Sequence, residues 1–233
     1  MSPGRDRRGE LAAGLTAVED RVAAACRDAG RPREDVTLIA VTKTWPAEDV
    51  ALLRELGVRD VGENKDQEAA AKAAQVQDVR WHFVGQVQSR KARSVATYAS
   101  VVHSLDRTRL ADALSTGAER AGRSVDVLVQ VSLDGDPDRG GTLPADVPAL
   151  AEHAAALPGL RLAGVMAVAP LQEDPRRAFD RLVAVGQALR ADHPQAVAVS
   201  AGMSADLEAA VSAGATHLRV GTAILGHRTP FLR

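Results

Sequence analysis

Short β-branched runs alternate along this chain with segments whose apolar residues recur at helical spacing. The first segment, about Gly9 to Ala29, places Leu11, Leu15, Val18, Val22 and Cys26 on one stripe and predicts an amphipathic helix. Eight strand-like runs follow: Val36–Val41, Val58–Val61, Trp81–Val84, Val101–His103, Val125–Val131, Leu160–Val165, Ala196–Val199 and His217–Val220. Several are continuously apolar, as expected of strands covered on both faces. Between them lie helical patterns such as Leu110 with Leu114, Phe179 with Leu182, Val183 and Leu189, and Leu207 with Ala210 and Val211. Pro46, Asp106 and an N-capping Ser204 mark helix starts, while Gly57, Gly122 and Gly214 mark helix ends.

Eight strands alternating with helices over some 200 residues predict an α/β fold, a single (β/α)8 TIM barrel with an extra N-terminal helix. A doubly wound open sheet is the alternative. No linker or low-complexity tract divides residues 1–233, so one domain is expected, with residues 1–8, including Arg5, Arg7 and Arg8, as a solvated tail. Asp134–Gly141 is the one long turn-like segment, after strand five.

Composition narrows the functional classes. Lys plus Arg is 29 against 30 for Asp plus Glu, which leaves no basic excess for a nucleic-acid partner. No apolar run approaches the ~20 residues that span a bilayer, so no membrane association is expected. The single cysteine, Cys26, belongs to the core stripe and excludes an internal disulfide, consistent with a reducing cytoplasm. No metal site is assigned. Nothing advertises an interface, and a monomer is the expectation.

In a barrel, chemistry collects at the carboxyl ends of strands. Lys43 ends the apolar run LIAVTK, where alternation puts Ile39, Val41 and Lys43 on the same inward side. A lysine turned into a barrel mouth is solvated, paired or chemically used, and desolvation favours the neutral amine that attacks aldehydes. Ser200–Ser204 is a small, glycine-containing turn leading into a helix, and Gly221-Thr222 follows the neighbouring strand; such loops bind phosphate. Barrel closure sets strand eight beside strand one, so Lys43 and this cradle share one mouth. A Schiff-base lysine beside a phosphate site suits pyridoxal 5′-phosphate (PLP) or the phosphosugar of a class I aldolase. Arg219, two residues before Gly221, points to the same side and favours PLP, since an arginine would face the pyridine nitrogen without protonating it.

At these residues the chain resembles a known family. Ala40-Val-Thr-Lys43-Thr-Trp-Pro46 is similar to the lysine motif of the pyridoxal phosphate homeostasis proteins (the YggS/PROSC family), related to the barrel domain of alanine racemase. Gly62-Glu-Asn64 with Gln67-Glu68, Trp81-His-Phe-Val-Gly85 with Gln88-Ser-Arg-Lys91, Ser200-Ala-Gly-Met-Ser204 and Arg219-Val-Gly-Thr-Ala-Ile-Leu-Gly226 resemble four further motifs in family order. Val61, Arg90 and Ala201 stand where the family has Phe, Asn and Met, and Arg139 with Gly140 occupies its K-x-G place. The resemblance implies a Schiff base at Lys43, phosphate contacts from Ser200, Gly202, Met203, Ser204, Gly221 and Thr222, Arg219 at the pyridine nitrogen, and Asn64 near the ring. It also implies a role in intracellular PLP homeostasis, with PLP-dependent apo-enzymes as possible acceptors.

Racemase-type enzymes add a β-rich domain that supplies a tyrosine opposite the lysine, and no room for it is expected here. Racemisation requires a base on each face of the α-carbon. Tyr98 falls late in a predicted surface helix, and His82, His103 and His227 are weak candidates. A PLP-binding role without robust amino-acid turnover is therefore expected, with racemase-like catalysis as the alternative.

Overall fold

The fold is seen in a computed structural model that describes residues 3–136 and 139–227. An N-terminal helix α1 (Pro3–Asp28) precedes eight strands and eight helices that alternate: β1 (Thr37–Val41), α2 (Ala47–Glu55), β2 (Asp60–Glu63), α3 (Asp66–Gln75), β3 (Arg80–Phe83), α4 (Ala92–Tyr98), β4 (Val101–Leu105), α5 (Thr108–Arg120), β5 (Val125–Gln130), α6 (Val147–Ala155), β6 (Leu160–Met166), α7 (Pro175–Asp192), β7 (Ala198–Ser200), α8 (Leu207–Ala213), β8 (His217–Val220) and α9 (Thr222–Leu225). All strand pairs are parallel and the sheet closes, β8 pairing with β1 in the register Ile39 opposite Arg219. The expected TIM barrel is thus present and the open sheet is not.

Two sequence expectations are corrected. The basic residues before Gly9 are not a free tail, because α1 begins at Pro3. Arg7 donates to the Asp49 carboxylate at 2.8 Å and to the Leu225 carbonyl at 3.1 Å, and stacks 4.3 Å from the Trp45 ring centre. A guanidinium can do all three because its donors fan out in one plane whose face remains free for an aromatic. Ser204 is not the N-cap of α8, which starts at Leu207 after Asp206. Of the Asp134–Gly141 segment, Pro137 and Asp138 lie outside the described residues. The helix-ending glycines stand as expected, each with positive φ at Gly57, Gly122 and Gly214.

The main apolar core lies between the barrel and its helices. Leu11, Val18, Val22 and Cys26 of α1 join it, with the strand residues Ala40, Val61, Val102, Val127 and Leu218. Each fully buried Val or Leu contributes about 1.5–3 kcal/mol relative to exposure. Inside the barrel the filling is different. A small separate cluster of Val101, Leu128, Met166 and Ala198 is the apolar part. Around it runs a chain of polar side chains on inward positions of β2, β3, β4, β7 and β8.

The chain begins at Arg219, which donates to Ser200 Oγ at 2.6 Å. Ser200 Oγ lies 2.9 Å from His103 Nδ1, His103 Nε2 lies 2.9 Å from His82 Nδ1, and His82 Nε2 lies 2.9 Å from Asp60 Oδ1. A guanidinium only donates, so the Ser200 proton is free for His103 Nδ1. That leaves the proton of neutral His103 on Nε2, facing His82 Nδ1, and the proton of neutral His82 on Nε2, facing Asp60. Every link then donates toward the floor carboxylate. At that floor Arg80 lies 3.7 Å from both Asp60 and Asp126, and Arg161 pairs with Asp126 at 2.7 Å.

Burial holds His82 and His217 below the ordinary histidine range, His217 at about 4, and pushes His103 well below it. Burial is the largest influence on the Asp60 carboxyl and works to raise it. The hydrogen bond from His82 and the attraction of the neighbouring basic groups, Arg80 among them, together outweigh it, and the group sits below its usual value. Unfolded, the histidines titrate near pH ~6.5, so below that pH the unfolded chain binds more protons than the folded one. Stability is therefore full above about pH 6.5 and declines as the pH falls toward the folded pKa values, each histidine costing up to ~1.4 kcal/mol per pH unit. Asp60 adds to the loss in the same direction at still lower pH. Urea unfolding at neutral pH and at about pH 5 should show a clear drop in midpoint at the lower value. A midpoint unchanged over that interval would show that the buried histidines are not held neutral.

Candidate functional site

The mouth at the carboxyl ends of the strands is assembled from both ends of the chain. Gly221 sits against β1, where a Cβ on it would come within 3.0 Å of the Val41 carbonyl oxygen. This contact and the β1–β8 pairing bring Lys43, two residues beyond Val41, to the same rim as Gly221 and Thr222. Lys43 lies in a turn after β1 and its side chain is exposed. The expected desolvation of this amine inside the barrel is therefore corrected: the strand ends at Val41, so the inward alternation stops before Lys43.

Arg219 is the buried cation of the site, 6% exposed. It reaches across β7, donating to Ser200 Oγ and, at 2.9 Å, to the Ala167 carbonyl at the end of β6. Burial lowers its pKa to about 10, against some support from Asp206, so it remains charged at neutral pH. A salt bridge from Arg219 to Glu63 is not formed; Glu63 pairs with Lys72 instead. The two partners of Arg219 are neutral oxygens.

The small-residue loop after β7 differs in detail from the expected phosphate cradle. Ser200 belongs to the barrel interior, fully buried, with its hydroxyl engaged by Arg219 and His103. Met203 N–H donates to Asp206 Oδ1 at 2.6 Å, and Ser204 Oγ accepts from Ala223 N at 3.3 Å. Gly202 has φ +87°, and a Cβ there would lie 2.6 Å from Ala210 Cβ and 2.9 Å from Leu218 Cδ2. Its first constraint is thus packing under α8, not approach of an anion, so a Gly202→Val change would disturb the fold before it reported on any ligand. Ser204 and Thr222 are the hydroxyl side chains left at the rim, half-buried and exposed respectively.

Asn64 stands on the other side of the mouth, after β2. Its Oδ1 is buried without a hydrogen-bond partner. Gly85 holds it there, because a Cβ at that position would lie 2.5–2.8 Å from Asn64 atoms. An orphaned buried amide oxygen is costly unless a ligand or water completes it. A cavity of about 660 Å³ opens beside it, lined by Gln67, Phe83, Gln86, Val87, Gln88 and Lys91 among others. An exposed amine, a buried cation held by neutral oxygens, rim hydroxyls and an unsatisfied amide fit an anionic, aromatic aldehyde such as PLP.

Other candidate residues are not brought to the mouth. Tyr98 closes α4, half-buried, with its hydroxyl 3.3 Å from Asp66; burial and that carboxylate raise its pKa. His227 is exposed after α9. Arg139 ties the loop after β5 to the Val168 and Ala169 carbonyls and to Asp134. No group of three or more His, Cys, Asp or Glu among the described residues is placed to hold a metal ion. Nor is any described helix long and apolar enough to cross a membrane.

Sequence reasoning missed the histidine chain and the ion cluster around Lys72. The second had a visible signal, since Glu68 and Lys72 are spaced i, i+4 on one helix. The first was legible only as inward alternation, with Asp60, His82, His103, Ser200 and Arg219 each on its strand's inner side.

Known proteins share this architecture. The sequence profile of the alanine racemase N-terminal domain matches residues 14–229. The pyridoxal phosphate homeostasis protein of Mycobacterium bovis is 44% identical, covering 96% of this chain and 95% of its own length. That of Escherichia coli K12 is 37% identical, covering 94% and 97%. The structure of PipY from Synechococcus elongatus with PLP bound superimposes with a TM-score of 0.81 at 33% identity, covering 93% of this chain and all of PipY. An alanine racemase from Clostridium difficile, 13% identical with a TM-score of 0.69 over 91% of this chain and 57% of its own, shares the fold. The chain belongs to the family of pyridoxal phosphate homeostasis proteins, built on the alanine racemase N-terminal domain.

Proposed function

We propose that this chain binds PLP at the barrel mouth through Lys43 and serves intracellular vitamin B6 homeostasis by holding the cofactor and releasing it, rather than by turning over amino acids. The observation that carries the reading is that the exposed Lys43 amine follows β1 while the buried, charged Arg219 stands on β8, the strand paired with it, so that both belong to one barrel mouth. The names of the relatives and the PLP in the PipY structure support it.

When bound, PLP supplies an aldehyde that condenses with an amine, with loss of water, and a pyridine ring that withdraws electrons best when its nitrogen is protonated. The chain's own residues divide the remaining tasks. Lys43 provides the amine. Ser204 and Thr222 hydroxyls, with backbone N–H groups of Gly202 and Gly221–Thr222, hold the phosphate, and Met203 N–H joins them on leaving Asp206. Ser200 acts one step removed, by fixing Arg219. Asn64 completes its amide against the ring. Arg219 donates to the ring nitrogen and does not readily yield a proton to it, which keeps the ring a weak electron sink. Tyr98 and the two core histidines are committed elsewhere, so neither supplies the second base that racemisation needs. A monomer in the cytoplasm, passing PLP to PLP-dependent apo-enzymes, completes the reading.

Borohydride reduction of the PLP-loaded protein and peptide mapping should place the pyridoxyl group on Lys43, and the yellow absorbance band should persist without amino-acid turnover. Lys72 is a poor competitor, since all its donors are occupied inside the protein. An adduct mainly on Lys65, Lys72 or Lys91 would remove Lys43 from this role.

Arg219→Glu offers the ring nitrogen a partner that stabilises its protonated form. With PLP bound and the fold intact, this variant should exchange an amino-acid α-proton for solvent deuterium faster than the parent. Parent turnover at ordinary enzymatic rates, ~1–1,000 per second, would reverse the preference for a carrier.

A further inference from the structure

Lys43 sits in the middle of a tight turn. Trp45 N–H donates to the Thr42 carbonyl at 3.1 Å, which makes Lys43 and Thr44 the two central residues. Thr44 has φ +69°. The third position of such a turn is normally glycine's when φ is positive. A β-branched residue held there costs about 1–3 kcal/mol and persists only where its surroundings fix it.

The surroundings are a cluster of three charges beneath the turn. Thr44 N–H donates to Glu68 Oε1 at 2.6 Å. Lys72 Nζ donates to the same oxygen at 2.6 Å, to Glu63 Oε1 at 2.6 Å and to the Thr42 carbonyl at 2.8 Å. The Thr42 hydroxyl donates to Glu63 Oε1 at 2.7 Å. Residues on both sides of Lys43 are thus gripped, Thr42 twice and Thr44 once, by groups that meet at one ammonium. Lys72 is 4% exposed and Glu63 1%. Apolar residues of similar volume commonly replace such buried ion groups with no loss of stability, so stability alone is a weak reason for this one.

We propose that Lys72, with Glu63 and Glu68, is the positioning group for Lys43: it holds the strained turn 42–45 so that the Lys43 amine stands at the barrel rim, ready for the cofactor aldehyde. This rests on the assignment of Lys43 as the PLP lysine. The clamp touches no ligand itself. Its effect is confined to the covalent step, in which the Lys43 amine adds to the aldehyde carbon and the aldehyde oxygen leaves as water. The phosphate side of the mouth, built on β7, β8 and their loops, does not pass through it.

The test compares two ligands on the parent, Lys72→Met and Glu68→Gln proteins. PLP has the aldehyde; pyridoxine 5′-phosphate has an alcohol in its place and binds without a covalent bond. The rate of borohydride-trappable adduct at Lys43 should fall about ten- to a hundredfold in Lys72→Met, the order that small misplacements of a reacting group produce. Affinity for pyridoxine 5′-phosphate should stay within about threefold, less than ~0.7 kcal/mol. Glu68→Gln, at a half-exposed site, keeps an acceptor for Thr44 and should show a smaller loss of the same kind; it carries the test alone if Lys72→Met fails to fold. Parent-like capture rates overturn the proposal, as does an equal loss of both ligands, which marks the cluster as structural only. Parent protein that traps PLP elsewhere than Lys43 instead overturns the assignment of the lysine, and the clamp's purpose with it.

Discussion

A guanidinium enclosed by protein must find oxygens for its protons, and the way Arg219 does so organises the inside of this barrel. A carboxylate beside it would be the simplest partner, yet it would neutralise the cation that the mouth presents. Arg219 is instead held by the Ser200 hydroxyl and a main-chain carbonyl, and the negative end lies four hydrogen bonds away at Asp60. The serine and both histidines between them must be neutral and correctly tautomerised for the chain to close. That requirement accounts for polar residues in the inner positions of five strands, where a barrel is ordinarily filled with branched apolar side chains. The outer core, between strands and helices, supplies the hydrophobic stabilisation that the inner one forgoes.

The mouth has two halves with different construction. The β7–β8 side is made of short loops, hydroxyls and main-chain amides on a frame closed by α8 and α9. The β1–β3 side is made of charged and amide side chains, with Glu63, Glu68 and Lys72 under the lysine turn and Asn64 facing a cavity. Lys43 stands at the junction. Arg7 crosses the same junction from outside, linking the loop after β1 to the last helix, so α1 braces the rim as well as the wall.

Much of this was legible from residue pattern. The eight strands were found because parallel strands covered on both faces read as apolar runs, and β8 was read to the residue. Short strands shifted where polar inward residues interrupt the run, as in β2, which extends through Gly62 and Glu63 rather than starting at Val58. Lys43 and Arg219 were recognisable because a charged residue at the end of an apolar strand is conspicuous. The state of Lys43 was not, since alternation says nothing about where a strand stops. Ser204 read as the cap of α8, and the contacts of the fold decide otherwise: Asp206 immediately precedes the helix and accepts from Met203 N–H, while Ser204 Oγ accepts from Ala223 N–H of α9. Arg7 was misread because a short basic run before a helix has no local signature of the three distant groups it meets.

The charged floor made by Asp60, Arg80, Asp126 and Arg161 has a consequence for traffic. Interlocked side chains close that end of the barrel, and the histidine chain fills the axis above it, so the interior is a cul-de-sac rather than a passage. A small molecule seated at the rim leaves by the route it came. Whatever occupies the rim therefore meets solvent, or any other molecule, only from the side of the strands' carboxyl ends.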